Sequence, residues 1–396
     1  MEAYDAASDL YTMGKNSRDE LTLYSLASQN YRENVPEYNL FRQYFDDSDY
    51  GDTIISRVIA GMDPYRDISL NMKSAIVVGT LKSMVMHMHV LSKMYESIEN
   101  CLDEEYSFTY NPWDEAVASL IGSMEGPDEN GNKSSPGQFL YGVSQLRCEE
   151  FGTCDSKGIS KVKKRMLVLI YAGQSQFSVG QCDNLESTVK EMESLMLVPL
   201  IQSTLKYAVE NEGLTFDSGA ASIGSGFAYS RSILPLINNV DENAAGVLEN
   251  NMNYVPVRGR EPIYQGSASV VAAIRGAISN FDRIDCRDIG QINQMNVCKA
   301  GKDSSTSSTF DDDETDQAKL RQATIVAIKT AVSISAVLLM LFVGYFLWNR
   351  QDRREEINLE NFDENDLRFN EVGSNSDEKI VMKGKKEVLA HMGVVT

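Results

Sequence analysis

What this chain lacks narrows its function before anything it contains. Histidine is scarce: His87, His89 and His391 are the three in 396 residues. There is no G-x-S-x-G elbow, no phosphate-binding P-loop, no H-E-x-x-H helix and no dinucleotide-binding glycine fingerprint. No catalytic constellation is left, and the chain reads as a non-enzyme. Basic charge is in deficit, with Lys+Arg 37 against Asp+Glu 57 and a formal net charge of −20. Binding to a phosphate backbone needs a basic face, so nucleic acid is excluded as a partner. No two cysteines have C-x-x-C spacing, which removes zinc ribbons and thioredoxin-type redox motifs. The opening residues, MEAYD, hold neither the basic start nor the apolar core of a secretory signal.

The six cysteines are Cys101, Cys148, Cys154, Cys182, Cys286 and Cys298. All precede the long apolar run near the C-terminus, and that partition points to disulfides on the oxidising side of a membrane. Six cysteines allow about 15 pairings, and spacing does not choose among them. Cys148 with Cys154 and Cys286 with Cys298 are the local pairs that cost least.

Residues 330–348 read TAVSISAVLLMLFVGYFLW, without a charge. Extended backward to 323, the run exceeds the roughly 20 residues a helix needs to cross a bilayer. Lys329 can snorkel at one edge, and Tyr345 and Trp348 suit the interface. Arg350, Arg353 and Arg354 follow at once and favour a cytoplasmic C-terminus, although Lys319 and Arg321 weigh against them. The expected arrangement is an extracytoplasmic domain over 1–302 and an acidic, Ser/Thr-rich stalk over 303–322. A transmembrane helix follows over 323–349, then a disordered cytoplasmic tail over 350–396 that could meet trafficking partners. This places the chain in the plasma membrane, single-pass, and an exported domain implies a signal peptide upstream.

Within 1–302 the apolar period is helical. It runs through 72–101, 162–171, 185–209, 220–237 and 268–281, with alternating strand-like runs scarce, so the fold class is all-α. A Gly- and Pro-rich loop over 126–137 carries Asn132-Lys133-Ser134, an N-glycosylation triplet. An internal repeat also shows. AASDLYTMGKNS at 6–17 is followed by LTLYSLASQNY, and AVASLIGSMEGP at 116–127 is followed by QFLYGVSQLRC. The domain therefore reads as two related helical halves.

Four stretches carry a family resemblance: WDEAVASLIGSMEG at 113–126, QFLYGVSQLRCEEFGTC at 138–154, GFAYSRSILPLINNVDENAAGVLENNM at 226–252 and NFDRIDCRDIGQINQMNVC at 280–298. Together they are similar to the algal low-iron-inducible periplasmic proteins, the iron-assimilation family that includes the phytotransferrins of diatoms. The resemblance covers roughly residues 5–298. It implies an extracytoplasmic helical domain that binds ferric iron at the cell surface, with or without carbonate, for internalisation or hand-off. Ferric iron is a hard cation and takes oxygen ligands. Asp114, Glu115 and Glu125 match the first motif and Tyr141 lies in the second, and these four are the candidate metal ligands. Asp114 reads more readily as a cap of the helix that Trp113 opens. Glu115 and Glu125 lie about 15 Å apart along a straight helix, too far to share an ion without partners from other helices. His87 and His89, two apart, face nearly opposite ways on a helix and are read as packed side chains. Met84, Met86, Met88 and Met94 are read as core filler. Lys161, Lys163, Lys164 and Arg165 are read as a solvated face. Ser92, Lys93 and 222–226 stand where the family often carries histidine or acidic residues. That leaves a metal-free structural or adhesive surface protein on the same scaffold as the alternative.

Overall fold

A computed structural model describes residues 2–14, 21–31, 35–103, 111–122, 139–215, 218–253, 261–281 and 283–298. The chain divides into two units, Met1–Ser304 and Ser305–Thr396. The expected stalk, span and tail all lie in or beyond 299–396, outside the described residues, as do Glu125 and the Asn132 triplet.

The first unit is all-α. Its helices are α1 (Glu2–Met13), α2 (Leu23–Ala27), α3 (Pro36–Phe45), α4 (Tyr50–Ile59), α5 (Leu70–Thr80), α6 (Met86–Leu102), α7 (Pro112–Ile121), α8 (Leu140–Phe151), α9 (Lys161–Ser178), α10 (Cys182–Asn211), α11 (Ala220–Val240), α12 (Glu242–Met252), α13 (Ser267–Ile278) and α14 (Cys286–Ile289). The five periodic stretches in the sequence fall on α5–α6, α9, α10, α11 and α13. Side-chain caps set several starts: Ser69 accepts from the Met72 N–H, Asn111 from Trp113, Ser160 from Lys163 and Asp241 from Ala244. The two strands, β1 (Gln291–Ile292) and β2 (Met295–Asn296), form a tight hairpin. Its turn residues Asn293 and Gln294 both have positive φ, at 46° and 66°, as a two-residue hairpin turn with the twist of its strands requires.

α5 and α6 form one run, Leu70–Leu102, joined by a π-helical segment, Leu81–Val85. Among the described residues it alone is long and apolar enough to cross a membrane, and it is internal rather than C-terminal. Its apolarity serves the core instead. Ile76, Met84, Met88, Leu91 and Met94 are all fully buried. Small residues let α11 approach it closely: a Cβ on Gly79 would stand 2.5 Å from Ala228 Cβ, and one on Gly224 2.7 Å from the Met72 carbonyl oxygen. Ser83, in the π segment, donates to the Gly79 carbonyl at 2.8 Å.

A second close contact locks α7 against α9. The Trp113 indole is fully buried and its Nε1–H donates to the Ile170 carbonyl at 3.1 Å. Gly173, one turn along α9, leaves the space that the indole ring fills.

Three disulfides brace the unit: Cys101–Cys182, Cys148–Cys154 and Cys286–Cys298. The second and third are the local pairs. The first ties the end of α6 to the start of α10 across 81 residues. In the chain-entropy view a loop of that length restrains the unfolded chain by about 4–5 kcal/mol, against about 2 kcal/mol for the six-residue separation of Cys148–Cys154.

Two outcomes follow. Gly173→Ala should lower stability by about 1–3 kcal/mol, because a fully buried indole has no room to yield; denaturant titration measures it. Replacing Cys101 and Cys182 together by serine should lower the unfolding midpoint more than the same change at Cys148 and Cys154. An equal loss in the two double variants would contradict the loop-length account.

Candidate functional site

Three helices bring polar side chains into the core at one place. Glu37 occupies the first turn of α3, after Pro36, where the helix N-terminus favours negative charge. His87 and Tyr95 lie on α6, and Glu193 on α10. Glu37 is 4% exposed and His87 fully buried, and His87 Nε2 stands 2.8 Å from Glu37 Oε2. His87 Nδ1 is buried with no hydrogen-bond partner, so a proton there would be stranded. The tautomer is thereby set: Nε2–H donates to Glu37, and Nδ1 keeps its lone pair. Tyr95 donates to Glu193 Oε2 at 3.2 Å, and the Glu193 carboxyl is hydrogen-bonded to Glu37.

Two carboxyls in contact and out of water cannot both ionise cheaply. Burial first, and the Glu37 carboxylate second, push Glu193 up to about 8; the Tyr95 hydroxyl and Lys190 pull the other way without cancelling this. Glu193 therefore holds its proton to higher pH than an exposed carboxyl does. Tyr95 is itself raised, by burial and then by the Glu193 charge, and stays a phenol. Tyr31, Tyr38, Phe41 and Tyr50 form an aromatic cluster beside α3, with ring centroids 5.3–6.4 Å apart along the cluster. Tyr50, buried in this cluster, is raised well above the usual phenol range, chiefly by desolvation.

Glu37 is buried, whereas Glu193 and Tyr95 reach a cavity. Tyr95, Glu193, Lys190, Pro36, Phe281 and Arg283 line a cavity of about 280 Å³. The Cys101–Cys182 bridge lies six residues beyond Tyr95 on α6 and eleven before Glu193 on α10. α6 and α10 therefore run antiparallel from the bridge to the site, and the disulfide sets their register.

The residues singled out in the sequence sit elsewhere. Asp114 is exposed in the first turn of α7, where the Asn111 side chain accepts the capping hydrogen bond. Glu115 is half-buried and shared by two α6 side chains, His89 Nε2 at 3.3 Å and Lys93 Nζ at 3.3 Å. Tyr141 is buried in α8 with the Lys163 ammonium 4.5 Å above its ring. These three have different partners, and Glu125 is outside the described residues. His87 and His89 do take separate partners, Glu37 and Glu115. The basic run of α9 is likewise dispersed: Lys164 pairs with Asp155, and Arg165 with Asp288 at 2.6 Å and Glu191 at 3.3 Å. Met84, Met88 and Met94 fill the core.

Among the described residues, no group of three or more His, Cys, Asp or Glu side chains is arranged to hold a metal ion as it stands. At the Glu37–Glu193 pair the oxygen atoms that could serve as ligands are tied to one another through protons. A hard cation would bind there by displacing them.

No family model, curated protein or solved structure matches this chain. The functional reading therefore rests on the residues themselves.

The raised Glu193 carboxyl carries a pH signature. In the unfolded chain it ionises near 4.5, whereas the folded protein keeps its proton until about 8. Between those values the folded state binds the extra proton, so this group's contribution is complete below the lower value and is lost as pH rises. The slope is at most about 1.4 kcal/mol per pH unit. Glu193→Gln is neutral throughout and should flatten the fall in stability between pH 5 and pH 8. Denaturant titrations at both pH values test this, and an identical slope in parent and variant would rule out the retained proton.

Proposed function

We propose that this chain is a cell-surface protein that captures ferric iron without catalysis. Two related helical halves form its extracytoplasmic domain, and a single span over 323–349 anchors it. The observation that carries the reading is the set of donors at one place: two carboxyls, a phenol and an imidazole from α3, α6 and α10, of which Glu193 and Tyr95 line a cavity. Ferric iron is recognised by carboxylate and phenolate oxygen, and imidazole is also accepted. The proton held by Glu193 makes binding an exchange of protons for a cation, so affinity rises with pH. Three disulfides suit an oxidising compartment, and the net charge of −20 raises cation concentration near the surface. The stalk would hold the domain off the bilayer, and the tail would serve internalisation.

The metal-free structural reading has one specific observation in its favour: Glu37, His87, Tyr95 and Glu193 already satisfy one another as hydrogen-bond partners.

Titration of the detergent-solubilised full chain with ferric nitrilotriacetate, in bicarbonate buffer, separates the two readings. We expect one saturable ion, proton release on binding, and a tyrosinate-to-iron absorption band that disappears in Tyr95→Phe. Glu193→Gln should weaken binding by roughly tenfold or more, as expected for loss of a charged ligand. Absence of saturable binding in the parent would end the iron-capture reading. Binding that survives Glu193→Gln but fails in Glu115→Ala would move the site to α7.

A further inference from the structure

A cavity of about 620 Å³ lies between α1, α4 and the start of α5. Its wall carries three cations, Arg57, Arg66 and Lys73, and three hydroxyls, Ser8, Tyr11 and Ser56, with no carboxylate among the lining residues.

Each cation is held differently. Lys73 is 6% exposed, and its ammonium donates to the Arg66 carbonyl at 3.3 Å. Gly61, at φ 61°, leaves space beside that ammonium: a Cβ there would stand 3.4 Å from Nζ. Arg66 pairs with Asp63 at 3.3 Å, but both side chains are well exposed and such a pair exchanges readily. Arg57 is exposed and has no ion-pair partner among the described residues. Asp52 stands behind the wall and accepts from the Tyr11 hydroxyl at 2.9 Å and the Ser56 hydroxyl at 2.6 Å. Those hydroxyl protons are committed, so recognition falls to the two guanidiniums and the buried ammonium. Guanidinium groups bind carboxylate and phosphate oxygens in pairs, and a desolvated ammonium adds a point charge.

We infer that this cavity binds a small organic oxyanion, a polycarboxylate or a phosphate ester, through Arg57, Arg66 and Lys73. Its size suits an organic molecule rather than a bare inorganic ion. The site shares no residue with the Glu37–Glu193 pair and does not rest on the iron reading.

Citrate and glucose 6-phosphate distinguish the two sources of the same chemistry. Calorimetric titration of the detergent-solubilised full chain with each should show saturable, salt-sensitive binding of at least one. Arg57→Gln and Lys73→Met should each weaken it by roughly tenfold. Glu193→Gln should leave it unchanged, which keeps this result separate from the iron titration. Arg57 is exposed, so its variant folds as the parent does and decides the matter even where Lys73→Met loses stability. No saturable binding of either anion at millimolar concentration would overturn the proposal. Equal binding by parent and Arg57→Gln/Arg66→Gln would do the same.

Discussion

Two carboxyl groups held in contact inside a helical core are the constraint on which this structure turns. Removing a carboxylate from water is costly unless it is paired, and here the pairing partner is a second acid. The arrangement is tolerable because every neighbour contributes. Glu37 sits in the first turn of α3, His87 Nε2 meets it at 2.8 Å, and Tyr95 donates to Glu193, whose carboxyl is held protonated to higher pH than usual. Loss of any one leaves a buried polar atom without a partner. The Cys101–Cys182 bridge belongs to the same logic, because it holds α6 and α10 in the register that the hydrogen bonds require.

The helices were legible for two reasons: 220–237 shows the period that burial of one face leaves, whereas 185–209 is a long apolar run without a strand's alternation, and α10 proves to be buried on every side from Leu195 to Leu205. The short disulfides were legible because residues 6 and 12 apart can meet at little entropic cost. The site was not. Glu37, His87 and Glu193 lie far apart in the chain, no motif spans them, and a buried glutamate looks like any other in a chain with 57 acidic residues. Glu115 drew notice through its motif, yet its carboxylate is shared between His89 and Lys93. The one usable signal for His87 was negative: an unbranched polar residue among Met84, Met88 and Leu91, on a stretch otherwise apolar enough to be core. A polar group in such surroundings needs a partner, but the sequence does not say which.

The two proposed sites divide the chemistry of the domain. The acid pair offers oxygen atoms to a cation and sits where α3, α6 and α10 converge. The Arg57–Arg66–Lys73 wall offers nitrogen donors to an anion and sits beside α1 and α4. The long run Leu70–Leu102 connects them, with Lys73 near its start and Tyr95 near its end.

That run is interrupted by the π segment, Leu81–Val85. A π turn accommodates one more residue than an α turn within the same helix. Everything downstream is thereby rotated by about 100° relative to an uninterrupted helix. The faces presented by His87 and Tyr95 are set by this single surplus position, while Lys73, upstream, is indifferent to it. Removal of one residue between 81 and 85 would leave the first turns in place yet aim a different side of α6 at α3 and α10.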